Sequence, residues 1–269
     1  MQKVYNGKNV VITGGSSGIG KAVAGEFLRR GDNVIIASKN YIKMKRTHNE
    51  LNKIDSCGQC YSYRFDVTRP KDCQKLVNYA TSVFDNVDIW INNAGTNGFK
   101  YAKLSEFDVH EYDNIVSANL LGTIYCCKYI LPIFHNQMNG TLVNLEGAGS
   151  NGLATPLYSV YGATKSGITQ LTKSLRKENE HDDVYICLLS PGMVLTNLLV
   201  SDADNQTKQI FNIFCEDTST ISKFIVDELY NIDKNHNIKY LTLSRIIFLM
   251  IRYIFVRNRW FDKHGKLKC

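Results

Sequence analysis

The chain has 269 residues, 44% of them hydrophobic and 21% charged, and this composition excludes a disordered or low-complexity protein. The formal net charge is +7, and the segment from Asn237 to the C-terminus, with eight basic residues and one acid, carries all of it. Because a nucleic-acid binder spreads basic charge over a folded face, this distribution argues against nucleic-acid binding and indicates that the C-terminal segment contacts a surface or a partner.

Strand-like apolar runs alternate with helical patterns along most of the chain. Continuous apolar strands separated by helices are typical of a parallel sheet covered on both faces, so we predict an α/β fold with a doubly wound (Rossmann) sheet. No Gly/Ser linker divides the chain, which predicts a single domain over residues 1–236 and a basic, apolar, helical extension over 237–269, packed on or beside it. The predicted strands are 9–13, 33–37, 61–65, 87–91, 140–144 and 184–189, and the predicted helices are 18–30, 106–131 and 158–177.

The first predicted strand runs directly into a glycine-rich loop, Thr13-Gly-Gly-Ser-Ser-Gly-Ile-Gly20, and then into a helix. Glycines let the backbone approach a pyrophosphate, and the helix N-terminus offers unpaired N–H groups to phosphate oxygens. A glycine run alone is weak evidence, but its place between strand one and helix one predicts a dinucleotide site. The residues predicted to bind the dinucleotide here are Thr13, Gly14, Ser16, Ser17, Gly18, Ile19 and Gly20.

The second predicted strand ends in Ala37-Ser38-Lys39, without an acidic residue. A site that selects NAD places Asp or Glu there for the ribose 2′-hydroxyl, whereas a basic residue accommodates the 2′-phosphate of NADP. We therefore predict NADP(H), bound in part by Ser38 and Lys39. The alternative is that Lys39 is a solvated loop charge.

Tyr161 and Lys165 lie four residues apart at the start of a predicted helix, which puts both side chains on one face. A neighbouring ammonium favours the phenolate, so we expect Lys165 to lower the pKa of Tyr161 from its usual value near 10. Tyr161 would then serve as a proton donor near neutral pH. This spacing is common in proteins and carries weight only together with other motifs.

Several motifs occur in the order and spacing of the short-chain dehydrogenase/reductase family, and from about residue 8 to 196 the chain resembles that family. The motifs are Thr13 to Gly20, Asn92-Asn-Ala-Gly95, Asn119, Tyr161, Lys165 and Pro191-Gly192. The resemblance implies that Tyr161 is the general acid/base, that Lys165 binds the nicotinamide ribose and lowers the tyrosine pKa, and that Asn119 holds a proton-relay water.

The same resemblance implies further cofactor contacts and an assembly. Cofactor residues are implied after strand three, after strand four and in the loop against the nicotinamide; they are Asp66, Val67, Asn93, Ala94, Gly95, Pro191, Gly192 and Thr196. Members of the family commonly associate through their long helices, so a homo- or hetero-oligomer is expected.

The sequence departs from the family at the serine that orients the substrate carbonyl. That serine usually lies about thirteen residues before the tyrosine, where this chain has Ala148, preceded by Gly147. Ser150 carries the nearest hydroxyl. Either the loop is shaped differently and Ser150 serves as the catalytic serine, or the role has moved.

The loop Glu146-Gly-Ala-Gly-Ser-Asn-Gly152 and the motif Ser190-Pro-Gly-Met-Val-Leu-Thr196 resemble the chlorophyll(ide) b reductases. That second resemblance extends through the tail to Arg259-Trp-Phe-Asp262. It implies NADPH-dependent reduction of the 7-formyl group of chlorophyll(ide) b to hydroxymethyl, in a plastid at the thylakoid surface. The alternatives are a reductase of another apolar carbonyl compound, such as a 3-keto sphingoid base or a steroid, and a non-catalytic NADP-binding partner subunit.

Two further patterns concern the compartment. The eight cysteines are scattered, so we predict neither a disulfide framework nor a metal site. No targeting segment is visible before the first predicted strand. If the subfamily resemblance fails, a cytoplasmic or membrane-associated protein is expected.

Residues 246–256 form a strongly apolar run flanked by arginines, too short for a transmembrane helix. Three interpretations remain open. The run packs on the domain or at a subunit interface, lies in the plane of a membrane surface with its basic residues near anionic lipid, or covers a large apolar substrate as a lid.

Overall fold

The computed structural model describes residues 7–98, 100–180, 183–200 and 203–267. Nine strands occur in this part of the chain. They are β1 (Asn9–Thr13), β2 (Asn33–Ser38), β3 (Cys60–Arg64), β4 (Ile89–Asn92), β5 (Gly140–Leu145), β6 (Val184–Ser190), β7 (Met193–Val194), β8 (Cys215–Glu216) and β9 (Asn237–Lys239).

Ten α-helices flank or connect these strands within the described residues. They are α1 (Gly18–Arg29), α2 (Tyr41–Leu51), α3 (Pro70–Val83), α4 (Val109–Val116), α5 (Gly122–Gln137), α6 (Ser159–Glu178), α7 (Asn197–Val200), α8 (Asn205–Phe214), α9 (Thr218–Tyr230) and α10 (Leu243–Phe255). A π-helical turn, Ser117–Leu121, joins α4 to α5.

Seven strands form one parallel sheet in the order β3-β2-β1-β4-β5-β6-β9, and β7 pairs with β8 in a separate small ribbon. The predicted α/β class with a doubly wound parallel sheet is confirmed. The order reverses between β1 and β4, so the loops that leave their carboxyl ends diverge and open a crevice there.

The strands are apolar throughout because both faces of the sheet are covered. In β1, Val10 and Ile12 point to the side of α1 and α9, while Val11 points to the side of α3 and α5. All three side chains are fully buried. The strands therefore lack alternating polar residues because each face of the sheet packs against an apolar layer of helices. This lack of alternation is the feature from which the sheet was predicted.

Strand β9 corrects the predicted boundary between residues 236 and 237. Leu189 pairs with Ile238, and Asn237–Lys239 is the seventh strand of the sheet rather than the start of an extension. The strand has only three residues, of which Ile238 alone is buried, so it left no apolar run in the sequence.

One described helix is apolar and long enough to cross a membrane by length and composition alone. It is the continuous helical segment Val109–Gln137, which comprises α4, the π-turn and α5. Cys126, Ile130 and Phe134 of this segment are fully buried against the sheet. The segment is therefore a core helix of the domain in this structure.

Candidate active site

The glycine loop and the loop after β4 pack against each other in the crevice. Gly14 has a φ of +68°, and a Cβ there would lie 2.9 Å from the Cα of Ala94. A Cβ on Gly20 would lie 2.5 Å from Nδ2 of Asn93. Side chains at these two positions would separate the loops, which explains why glycines stand there.

Thr13 fastens the two loops beneath the crevice. Its hydroxyl oxygen accepts hydrogen bonds from the backbone N–H groups of Asn93 and Ala94, both at 3.0 Å. The side-chain amide of Asn93 donates back to the carbonyl oxygen of Thr13 at 2.9 Å. The two loops are therefore held together by contacts of Thr13, Gly20 and Asn93.

The N-terminus of α1 opens into the crevice, and no described side chain caps it. Ser17 is the N-cap residue, its side chain makes no capping hydrogen bond, and the first turn holds no acidic residue. Free N–H groups and the positive end of the helix dipole favour an anion at this place.

The crevice is a cavity of about 870 Å³. Thirteen of the residues predicted to bind the cofactor line this cavity. They come from the ends of four strands and from the loop after β7. They are Gly14, Ser16, Ser17, Gly18, Ile19, Ser38, Lys39, Asp66, Val67, Asn93, Ala94, Gly95 and Thr196.

The end of the cavity beside β2 carries positive charge held in place by neighbours. Lys39 Nζ lies 3.0 Å from Asp66 Oδ2, and the Ser16 and Ser38 hydroxyls lie 2.7 Å apart. Although burial raises the pKa of Asp66, hydrogen bonds from Thr68 and the Lys39 ammonium lower it below the usual value overall. Asp66 therefore orients Lys39, whose side chain is 75% exposed at the mouth of the cavity.

Three further cations that line the cavity were not predicted from the sequence; they are Lys21, Arg29 and Lys43. Lys21 and Arg29 are on α1. Lys43 is on the first turn of α2, a helix that was not predicted, and its backbone N–H donates to the capping side chain of Asn40. A capping pattern of Asn40 before a basic helix was the signal that could have found it.

Tyr161, on the first turn of α6, is half-buried, and its hydroxyl has no hydrogen-bond partner among the described residues. A Cβ on Gly147 would collide with that hydroxyl oxygen. Burial raises the pKa of Tyr161 to about 12, and nearby Tyr101 also acts to raise it. Burial therefore sets the direction of this pKa shift in the chain by itself. The lowering by Lys165 expected from the sequence stays a prediction.

Lys165 lies one turn further along α6, on the same face as predicted. Its Nζ donates to the carbonyl oxygen of Leu145 at 3.0 Å and lies 5.6 Å from the centre of the Tyr161 ring. The residue is only 7% exposed. Burial lowers the pKa of Lys165 to about 8, although Glu146 opposes this shift.

Asn119 lies in the π-turn and connects the cavity wall to α6. Its side-chain oxygen accepts from the N–H of Thr96 at 2.7 Å, and its amide donates to Thr96 O and to Thr164 Oγ1. The Thr164 hydroxyl donates to the carbonyl oxygen of Tyr161 at 2.7 Å. Because the Asn119 side chain is fully buried, it holds Tyr161 and the cavity wall in a fixed relation.

The hydroxyl of Ser150 is engaged within its own loop. It donates to the carbonyl oxygen of Gly147 at 2.7 Å and accepts from the Gly147 N–H at 3.0 Å. Ser166 in turn donates to Gly149 O at 2.7 Å, which ties the loop to α6. Ser150 thus holds Gly147 against Tyr161, and a role for Ser150 on the substrate carbonyl stays a prediction.

The loop after β6 closes the other side of the site. Pro191 is buried, and Gly192, with a φ of +75°, packs against Leu241. Thr196 reaches the cavity together with Leu195, Asn197 and Leu198, which the sequence analysis did not single out.

Two further tyrosines beside Tyr161 also escaped the sequence analysis. The Tyr101 and Tyr158 rings lie 4.3 Å apart between centroids, and Tyr158 meets Tyr161 edge-on at 5.5 Å. Asn97 donates to the Tyr158 hydroxyl at 2.6 Å. Tyr101 comes from the loop after β4, distant in sequence, so no local pattern connected it with Tyr161.

Residues 8–207 match the family model of the short chain dehydrogenases. Because this match covers most of the chain, the protein belongs to the short-chain dehydrogenase family. The predicted family membership is confirmed.

The curated relatives include chlorophyll(ide) b reductases of Oryza sativa subsp. japonica. The chain is 39% identical over 277 residues to the probable chlorophyll(ide) b reductase NYC1, chloroplastic, covering 96% of this chain and 55% of that protein. It is 38% identical over 236 residues to the chlorophyll(ide) b reductase NOL, chloroplastic, covering 86% and 69%. The predicted resemblance to this group is confirmed, and the chain spans about half the length of the NYC1 relative.

Solved structures of the same fold are more distant in sequence. A serine dehydrogenase complexed with NADP+ superposes with a TM-score of 0.75 at 19% identity, covering 87% of this chain and 95% of that one. An alcohol dehydrogenase from the archaeon Thermococcus sibiricus complexed with 5-hydroxy-NADP gives 0.73 at 22% identity, covering 85% and 94%. These likenesses establish the fold.

Proposed function

We propose that the protein is an NADPH-dependent reductase of an apolar carbonyl compound. The proposed substrate is chlorophyll(ide) b, whose 7-formyl group is reduced. The observation that carries the proposal is the Tyr161 hydroxyl, which has no hydrogen-bond partner among the described residues and stands above Lys165 on the same helix face. Identity of 38–39% to chlorophyll(ide) b reductases over most of the chain supports the choice of substrate.

The cavity residues fit a dinucleotide with a 2′-phosphate. Gly14 and Gly18 leave the backbone bare at positive φ, and the α1 N-terminus is free for a pyrophosphate. Lys39 and Lys43 line the same cavity, and no acid stands at the end of β2. The cofactors of the solved neighbours, NADP+ and 5-hydroxy-NADP, agree with this choice.

When bound, the nicotinamide supplies the hydride for the carbonyl carbon. Tyr161 holds a proton on its hydroxyl, since the pKa of about 12 keeps the phenol neutral, and donates it to the carbonyl oxygen as negative charge develops there. Lys165 is an ammonium below about pH 8 and stabilises the resulting phenolate. Asn119 keeps Tyr161 in register with the cavity wall through Thr164.

Tyr101 and Tyr158 are suited to a flat, apolar substrate. The Tyr158 ring meets Tyr161, and the Tyr101 ring packs on Tyr158. The exposed side chains of Leu153 and Leu157 lie in the loop that leads to Tyr158. Aromatic faces bind planar macrocycles by stacking and burial. A plastid location is proposed with this substrate, because the relatives' names describe them as chloroplastic.

The test is the absorption spectrum of chlorophyllide b incubated with the purified protein and NADPH. We expect conversion to the 7-hydroxymethyl product, and at least a ~100-fold loss of rate in Tyr161→Phe because the proton donor is removed. NADPH binding, measured by fluorescence titration, should stay within about twofold, since the phenol ring is retained. Tyr129→Phe is the matched control, a half-buried tyrosine on α5 that packs against the apolar core.

Three outcomes would contradict the proposal in different ways. Reduction of another apolar carbonyl compound but not of chlorophyllide b would replace the substrate. NADPH binding without turnover of any aldehyde would indicate the non-catalytic partner subunit. Full activity in Tyr161→Phe would remove Tyr161 from the reaction.

A further inference from the structure

Helix α10 presents a broad apolar face to solvent. Phe255 is 81% exposed, Leu243 75% and Ile254 66%, whereas Leu249 alone of the helix is buried. At helical spacing the exposed residues occupy one side of the cylinder. The full set is Leu243, Ile247, Phe248, Met250, Ile251, Ile254 and Phe255, followed by Val256.

The two arginines of α10 face the domain instead of water. Arg245 stacks on the Tyr240 ring at 4.1 Å, and Arg252 donates to the buried carboxylate of Glu216 at 3.2 Å. A surface helix of a globular domain has the opposite arrangement, with its apolar side inward. The outward apolar face of α10 is therefore oriented by specific contacts on the other side.

This orientation has a physical consequence for the free protein. Eight large apolar side chains grouped on one exposed surface are an interaction site rather than ordinary surface, because monomeric proteins rarely leave such patches in water. The interpretation in which this run simply packs on the domain accounts for Leu249 and leaves the outward face unexplained.

We propose that this face inserts into the surface of an anionic lipid bilayer. Charge decides between a bilayer and a second copy of the chain. Four exposed basic residues precede or follow the helix in the chain, none of them in an ion pair with another described residue; they are Lys239, Arg257, Lys263 and Lys266. Asp262, the one acid in the sequence from Asn237 to the C-terminus, accepts backbone N–H groups of His264 and Lys266. Two copies docked through α10 would bring the basic residues of both chains close together, which is unfavourable. Anionic lipid headgroups would instead neutralise these positive charges.

The helix is also rigidly connected to the wall of the cavity. Glu216, which binds Arg252 and Arg259, lies in β8, and Leu195 after β7 donates to its carbonyl oxygen at 2.9 Å. Leu195, Thr196 and Leu198 then line the cavity. A bilayer bound at α10 is thus linked through Glu216 to a segment that lines the cavity, which suits a substrate dissolved in lipid.

The experiment is flotation of the full chain with vesicles, without NADPH or pigment. Vesicles of phosphatidylcholine with phosphatidylglycerol are compared with phosphatidylcholine alone. We expect binding to the anionic vesicles that weakens with salt, and a loss of about tenfold or more in Ile254→Ser/Phe255→Ser, because apolar burial drives insertion. Tyr41→Ser/Ile42→Ser is the matched control, an exposed apolar pair on α2 at 48% and 81% exposure.

Equal binding of the α10 variant and the wild type would overturn the proposal. So would a wild type that binds no vesicles but sediments as a dimer that the α10 variant dissociates, which would assign the face to a second copy. Because flotation needs neither cofactor nor substrate, its result is separate from the fate of the proposed reductase activity.

Discussion

At Tyr161 the backbone of Gly147 occupies the place next to the hydroxyl. A Cβ there would collide with the Tyr161 oxygen and lie 3.1 Å from Lys165 Cγ. Since Ser150 and Ser166 fix the loop from two sides, the backbone cannot easily withdraw. A side chain at position 147 must therefore displace the phenol of Tyr161.

Gly147→Ala is accordingly expected to lower kcat by roughly 10- to 1000-fold, because a displacement of about 1 Å in a catalytic group costs rates of this order. NADPH affinity should fall less than kcat, since the residues that line the cavity at the α1 N-terminus and the end of β2 are untouched. Gly167→Ala on the same helix as Tyr161 is the control, because its Cβ meets only the flexible end of Leu120. Steady-state kinetics and cofactor titration on both variants check this, and an active Gly147→Ala enzyme would show that the loop relaxes.

The sequence was sufficient for the residues that act through local backbone geometry and insufficient for those that depend on loop shape. Thr13 to Gly20 and Asn93 to Gly95 were predictable because strand, glycine turn and helix follow each other in the chain. The hydrogen bonds of Ser150 to Gly147, and the meeting of Tyr101 with Tyr158, depend on how distant loops fold over α6.

Among the elements, the ribbon of β7 and β8 is held to the C-terminal segment by one carboxylate. Glu216 is 4% exposed and binds Arg252 at 3.2 Å and Arg259 at 2.7 Å. Phe261 packs with Phe211 and Cys215 in a small core beneath it. The basic tail is thus part of the folded unit, with two of its charges compensated internally.

Glu216→Gln should destabilise the protein by about 2 kcal/mol, because a buried ion pair loses its charge while two partly exposed arginines remain. For a chain of this size that corresponds to a fall in Tm of roughly 4–8 °C. The control is Glu50→Gln, which also bridges two cations, Lys21 and Arg46, but at 37% side-chain exposure. There we expect a much smaller change in stability, because solvent screens an exposed ion pair. Thermal unfolding of both variants measures the two changes in Tm. Equal changes in Tm would contradict a larger contribution of the buried Glu216 to stability.

The strands and helices that were predicted from the sequence are those with a strongly apolar pattern. The six predicted strands and the three predicted helices are present with ends shifted by a few residues, the largest shift being at α5, which continues to Gln137. Helices α2 and α3 carry mostly polar residues and bury one narrow stripe each, so they did not stand out. Strand β9 is fixed by its pairing with β6 rather than by its own composition.

For the whole molecule, the buried Lys165 makes the free energy of unfolding depend on pH. Its pKa is about 8 in the folded chain, whereas an unperturbed lysine side chain has a pKa of 10.5. Below pH 8 both the folded and the unfolded state carry the proton, so the cost of burying the ammonium is constant. Between pH 8 and 10 the unfolded state binds more protons than the folded state, and the contribution of Lys165 to stability rises with pH.

The difference in unfolding free energy between the wild type and Lys165→Met isolates this effect. Cys60, Cys127 and Cys215, whose pKa values burial raises to about 12, favour the opposite trend above pH 9 but occur in both proteins and cancel. The difference should be flat from pH 6 to 7.5 and then shift by roughly 2 kcal/mol in favour of the wild type by pH 10, with a slope of at most about 1.4 kcal/mol per pH unit. Urea unfolding of the cofactor-free proteins measures it. A difference that stays flat through pH 10 would mean that Lys165 keeps an ordinary pKa in the folded chain, and the neutral amine assigned to it above pH 8 would be wrong.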